Sequence, residues 1–157
     1  MAVGMVHLHN VMRWLILILL LWSILKAYSG WKNKKIFTRS DKRIWLFTLI
    51  SAHINFLIGL YLLLAGRYGV LTSTRPEGSP LMKDKFYRFF WIEHPTGMIL
   101  AIILITIGNR MGKSNSSDTT KFRKAFWYFL IALIVILITI PWPWREIVGR
   151  PWFPGMQ

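Results

Sequence analysis

Apolar residues in this chain come in long unbroken runs rather than in short alternating ones. The stretch Leu15-Ile16-Leu17-Ile18-Leu19-Leu20-Leu21 is typical. Strands of a transmembrane barrel would show a period of two, which such runs lack. Four runs approach the roughly 20 residues a helix needs to cross the hydrocarbon core. They extend over about Val3 to Leu25, Ile44 to Ala65, Phe86 to Asn109 and Phe122 to Ile140. In lipid the backbone must satisfy its own hydrogen bonds, so each run predicts a helix. Short connections favour antiparallel neighbours. The expected fold is therefore all-α, an integral membrane up-down four-helix bundle in which residues 1–157 form a single transmembrane domain.

Composition agrees with this pattern. Of 157 residues, 54% are hydrophobic and 17% charged, whereas a soluble domain carries about a quarter charged residues. A soluble enzyme is excluded first. Cysteine is absent, which removes disulfides, thiolate metal sites and a cysteine nucleophile. The net charge of +14 points to membrane lipid rather than nucleic acid, because basic residues flank the spans. Twelve lie in the first and third connections, from Lys26 to Arg43 and from Arg110 to Lys124, against seven on the opposite side. By the positive-inside rule both termini face outside the cytoplasm. No Lys or Arg precedes the first run and no small-residue cleavage site follows it, so it reads as a retained span rather than a signal peptide. The longest connection contains the turn-rich Arg75-Pro76-Glu77-Gly78-Ser79-Pro80. The tail, with Pro141-Trp142-Pro143-Trp144 and Trp152-Phe153, cannot continue a helix and places indoles at headgroup level.

Polar side chains inside spans carry the functional information. The fourth span offers almost none and reads as packing. The other three each carry histidine: His7 and His9 with Asn10 and Arg13, then His53, then Glu93-His94. With a rise of about 1.5 Å per residue, His9 lies roughly 9 Å and His94 roughly 12 Å below the outer boundary. His53 lies roughly 18 Å deep, near the midplane. Gly97, Met98, Ala101, Ile105 and Gly108 share the His94 side of their helix. Such small residues permit close helix contact, and they also leave room for a flat macrocycle beside an axial ligand. Pro95 either kinks the span or begins it, leaving His94 at the cap. On the second span His53 shares a side with Leu46, Ile50, Leu57 and Leu60, while Thr48, Ser51, Asn55 and Gly59 form an opposite, hydrogen-bonding seam. Arg13 needs a partner: either Glu93, the one acidic residue inside a span, or an anionic cofactor group such as a haem propionate.

Histidines on different helices at similar depth suit a b-type haem, since haem iron takes imidazole ligands and bundles build cofactor sites between facing helices. His94 belongs to either plausible pair, with His9 by depth or with His53 by burial. The candidate cofactor-binding residues are thus His9, His53, His94, Arg13, Gly97 and Ala101, with the three histidines as metal ligands. Without a Cys-x-x-Cys-His motif the haem is not covalently attached. The segments His7-Leu8-His9-Asn10-Val11-Met12-Arg13-Trp14, Thr48 to Asn55 and Trp91-Ile92-Glu93-His94-Pro95 resemble small four-span bacterial membrane proteins described as cytochrome b-like. The resemblance implies haem b, a bacterial inner membrane, and electron transfer between quinone and a respiratory partner complex rather than stand-alone catalysis. Dihaem b-type bundles carry four ligand histidines in two level pairs. Here His7 and His9, two positions apart, point to opposite sides, a departure from that pattern that leaves the number of haems open. Three other readings remain open, one of them an enzyme of the bilayer with Glu93 and His94 as acid and base. Met1, Met5, His7, His9, Met12 and Met98 suit Cu(I), with zinc or non-haem iron on His7, His9, Glu93 and His94 as a variant. Alternatively the chain is a cofactor-free structural subunit docked to other membrane-protein subunits.

Overall fold

The computed structural model describes residues 2–73 and 80–153. The turn at 75–79 and Met1 lie outside the described residues. Four helices are long and apolar enough to cross a membrane, and no strand occurs among the described residues. They are α1 (Ala2–Lys32), α2 (Arg39–Ala65), α3 (Lys85–Met111) and α4 (Asp118–Thr139). Each packs against its sequence neighbour and α4 closes back on α1, which completes an up-down four-helix bundle. The chain is a multi-pass membrane protein. One end of the bundle carries the N-terminus and the tail after α4, and is called the tail end below. The opposite end carries the two shorter connections and is called the loop end.

Helix boundaries extend beyond the apolar runs for local reasons. α1 continues past Lys26 to Lys32, where Lys32 covers the Trp31 ring with its ammonium 4.7 Å from the ring centre. Lys34 then adopts a left-handed conformation with φ 50°, and Lys35 N–H donates to the Gly30 carbonyl at 3.0 Å. This is a Schellman stop, in which the chain turns back over its own last turn. α2 starts at Arg39 because Thr38 and Asp41 form a reciprocal capping box. The Asp41 carboxylate also pairs with Lys26 of α1 at 3.1 Å, which ties the first connection together.

In α3 the backbone widens into a π-helical turn over Phe89–Glu93, where His94 N–H donates to the Phe89 carbonyl. Pro95 brings no N–H to the carbonyl four residues earlier, and a π turn is the local adjustment to that gap. Pro95 therefore lies well inside the span. It does not begin it.

The half of the core toward the loop end is solid. Trp45, Phe122 and Phe129 are fully buried, and Phe37 joins them at 4.9 Å from Trp45. Thr48 of α2 meets Ser23 of α1 at 2.9 Å and also donates to backbone carbonyls. Thr48, Ser51 and Asn55 are all buried, so the polar seam of α2 faces inward. The fourth span is packing: Phe122, Ala125, Phe129, Ala132 and Ile136 line its buried stripe.

Close approach of α1 and α4 depends on Gly30, where an added Cβ would stand 2.6 Å from the fully buried Phe122 ring. Gly30→Ala is expected to cost about 1–3 kcal/mol through overpacking. Nothing lies within 4 Å of the corresponding position at Gly4. Thermal unfolding in detergent should show a lowered midpoint for Gly30→Ala and none for Gly4→Ala. Equal midpoints would mean that this helix contact is not tight.

Candidate functional site

The cofactor-bearing candidates meet at the tail end. α1 and α3 stand diagonally across the bundle, and His9 and His94 face each other between them with ring centres 6.2 Å apart and planes at 75°. Their similar depth is what makes the meeting possible. His53 does not join them. Its side chain is exposed on the outer surface of α2, where Nδ1 bonds the Leu49 carbonyl at 2.9 Å. The apolar stripe it shares with Leu46, Ile50, Leu57 and Leu60 is the outward face of the helix.

His94 is held in one tautomer. Its Nδ1 lies 2.8 Å from the Thr139 carbonyl, and a carbonyl only accepts, so Nδ1 carries the proton. Nε2 is left with its lone pair. The Thr139 carbonyl is available because Pro143, four residues on, has no N–H to offer it. Pro141 likewise leaves the Leu137 carbonyl to accept from Trp142 Nε1 at 2.7 Å. The two prolines thus end α4 and free carbonyls that side chains then take.

His9 lies against Gly59 of α2, where a Cβ would come within 3.1 Å of its Cε1. Asn55 faces it from the same helix, in electrostatic reach of the ring but outside hydrogen-bond geometry for Nδ1. Five buried side-chain atoms among the described residues have no hydrogen-bond partner. Four of them, His9 Nδ1, Asn10 Oδ1, Arg13 Nε and Asn55 Oδ1, belong to this end of the bundle. Unsatisfied buried polar atoms are costly, and their concentration singles out this end of the bundle as the candidate site.

Arg13 does not pair with Glu93. Glu93 bonds Arg88 at 2.7 Å, five residues back, a spacing the π turn brings into register. Arg13 instead donates through Nη2 to the Trp152 carbonyl at 2.8 Å and lies over the rings of Trp14 and Trp142. Trp14 Nε1 donates to the same carbonyl at 3.0 Å, and Asn10 reaches the Pro151 carbonyl. Trp142 stacks on Trp144, and Trp152 on Trp14. The tail is a folded indole cap packed on Arg13 and Trp14 of α1. A second cation, Arg145, covers the Phe89 ring at 4.6 Å and, with Arg13, couples electrostatically to His94.

Gly97 and Ala101 do not open a space beside His94. A Cβ on Gly97 would run into the Thr139 side chain, and Ala101 is buried against the core. They bring α3 close to α4 and so hold His94 within reach of the Thr139 carbonyl. Among the described residues no group of three His, Asp or Glu gathers to hold a metal ion, so His7, His9, Glu93 and His94 do not form one cluster. Met98 packs against the core.

The pair supplies two imidazoles from different helices with ring centres 6.2 Å apart, the type of donor that haem iron takes. No family model matches this chain, and neither does any curated protein or solved structure.

The cap was not legible in the run of residues, although Arg13 with no acid on its face was the signal for it. Arg13→Gln removes a charge-assisted hydrogen bond of about 1.5–3 kcal/mol and should open the tail roughly ten-fold more often or beyond. Limited trypsin digestion at Arg145 should accelerate accordingly. Glu93→Gln touches only a partly exposed ion pair and should shift stability by less than about 1 kcal/mol. Equal digestion of both variants would remove Arg13 as the tail's anchor.

Proposed function

We propose that this protein is a haem b-binding electron-transfer protein of the cytochrome b-like kind. The single observation that carries the reading is the His9–His94 pair, two imidazoles from different helices facing across the bundle with ring centres 6.2 Å apart. His9 and His94 would be the two residues that hold the haem. When bound, the haem supplies a carrier for single electrons. The Thr139 carbonyl keeps the proton on His94 Nδ1, which orients the ring and raises its basicity toward iron. Arg13 offers its unpartnered Nε to an anionic substituent such as a propionate. The protein carries electrons and is not a stand-alone catalyst.

The excess of basic residues at the loop end supports a bacterial inner membrane location with both termini outside the cytoplasm. The electron partners are a lipid-soluble quinone and a respiratory complex. An exposed imidazole at His53 is costly against lipid tails and supports a partner subunit covering that face of α2.

The test is the reduced-minus-oxidised absorbance spectrum of detergent-purified protein from haem-supplied cells. A sharp b-type α-band is expected, lost in His94→Ala and in His9→Ala and retained in His53→Ala. A colourless wild-type protein contradicts the proposal. Loss of the band in His53→Ala alone would move the site to the outer face of α2.

A further inference from the structure

At the loop end, far from the histidine pair, a cavity of about 410 Å³ opens between the last turns of α1 and the connection to α2. Its walls divide by chemistry. Trp22, Leu25 and Ile36 form an apolar side that is exposed on the bundle surface. Lys26, Ser29 and Lys35 form the polar side.

The two lysines differ in what holds them. Lys26 is committed to Asp41 at 3.1 Å, and the Asp41 carboxylate is further satisfied by the backbone N–H and hydroxyl of Thr38. That carboxylate lines the cavity but has its partners already. Lys35 Nζ donates to the Ser29 hydroxyl at 2.9 Å and pairs with no carboxylate among the described residues. Its ammonium retains donors beyond the one used. The Schellman stop sets this position, because Lys35 N–H returning to the Gly30 carbonyl folds the side chain back over Ser29.

A cation at the membrane surface, directly above an exposed apolar wall that continues down α1, is complementary to one kind of molecule. We propose that this cavity binds the phosphodiester of an anionic glycerophospholipid. Lys35 and Ser29 meet the phosphate, and an acyl chain runs along Trp22 and Leu25 toward the hydrocarbon. The site is independent of the haem reading, since it shares no residue with the tail end. It places a defined lipid against the α1–α2 connection, where it braces the Lys26–Asp41 pair.

The experiment titrates purified protein in neutral detergent with dioleoyl phosphatidylglycerol, with dioleoyl phosphatidylcholine and with inorganic phosphate. Thermal unfolding is followed by tryptophan fluorescence. Phosphatidylglycerol is expected to raise the midpoint saturably, with phosphatidylcholine and phosphate having little effect. Lys35→Gln should weaken the phosphatidylglycerol response about five-fold, the loss of one surface cation. Lys113→Gln, in the other basic connection, should retain it. Ile36→Asp puts a carboxylate on the exposed wall, 78% accessible, and should abolish it. Equal responses to the two lipids, or an undiminished response in both cavity variants, overturn the proposal. A response to inorganic phosphate equal to that to phosphatidylglycerol would make this a free-anion site and overturn the lipid assignment.

Discussion

A polar group inside a bilayer must find its partner within the protein, because no water is there to replace it. That requirement arranges this bundle. Ser23 and Thr48 meet each other between α1 and α2, and Thr48 and Thr139 return bonds to their own helices. Such interhelical bonds average well under 1 kcal/mol each, yet leaving them unmade in lipid costs more. The loop-end half of the core nearly closes its account with aromatic packing and the Ser23–Thr48 bond, Trp45 Nε1 being its one unpaired buried atom among the described residues. The tail-end half does not close it, and there the two imidazoles stand.

The tail end is built from defects in helix geometry. Pro95 is accommodated by the π turn in α3, which carries Arg88 to Glu93 and presents His94 to the bundle interior. Pro141 and Pro143 stop α4 and strip its last carbonyls of backbone donors. Those carbonyls are then taken by His94, Trp142 and Arg145. Helix ends always leave unpaired carbonyls. Here the unpaired groups become the fixings of a site. Arg13 and Arg145 both stand near His94, and neither pairs with a carboxylate among the described residues.

Much of this was legible before any coordinates. Uninterrupted apolar runs specify spans because the bilayer admits few alternatives, and the two faces of α2 separate cleanly by helical period. The nearly level depths of His9 and His94 follow from counting residues along their spans. Three features escaped for physical reasons. Burial of His53 cannot be judged from its span, since in a membrane an apolar stripe marks lipid as readily as core. Arg13 was paired with Glu93 by charge, but a cation also binds carbonyls and indoles, and these came from a tail 139 residues away. Gly97 and Ala101 carry two meanings, close contact or open room, and only the position of Thr139 decides for contact.

The proposed function requires two imidazoles from opposite helices to share one iron. Electron paramagnetic resonance of the oxidised, purified protein tests this most directly, since the spin state of ferric haem reports whether both axial positions carry strong ligands. A low-spin signal, converted to high-spin by removing either His9 or His94, is the predicted result. A wild-type signal that is already high-spin, or one that survives both substitutions unchanged, would contradict the pairing.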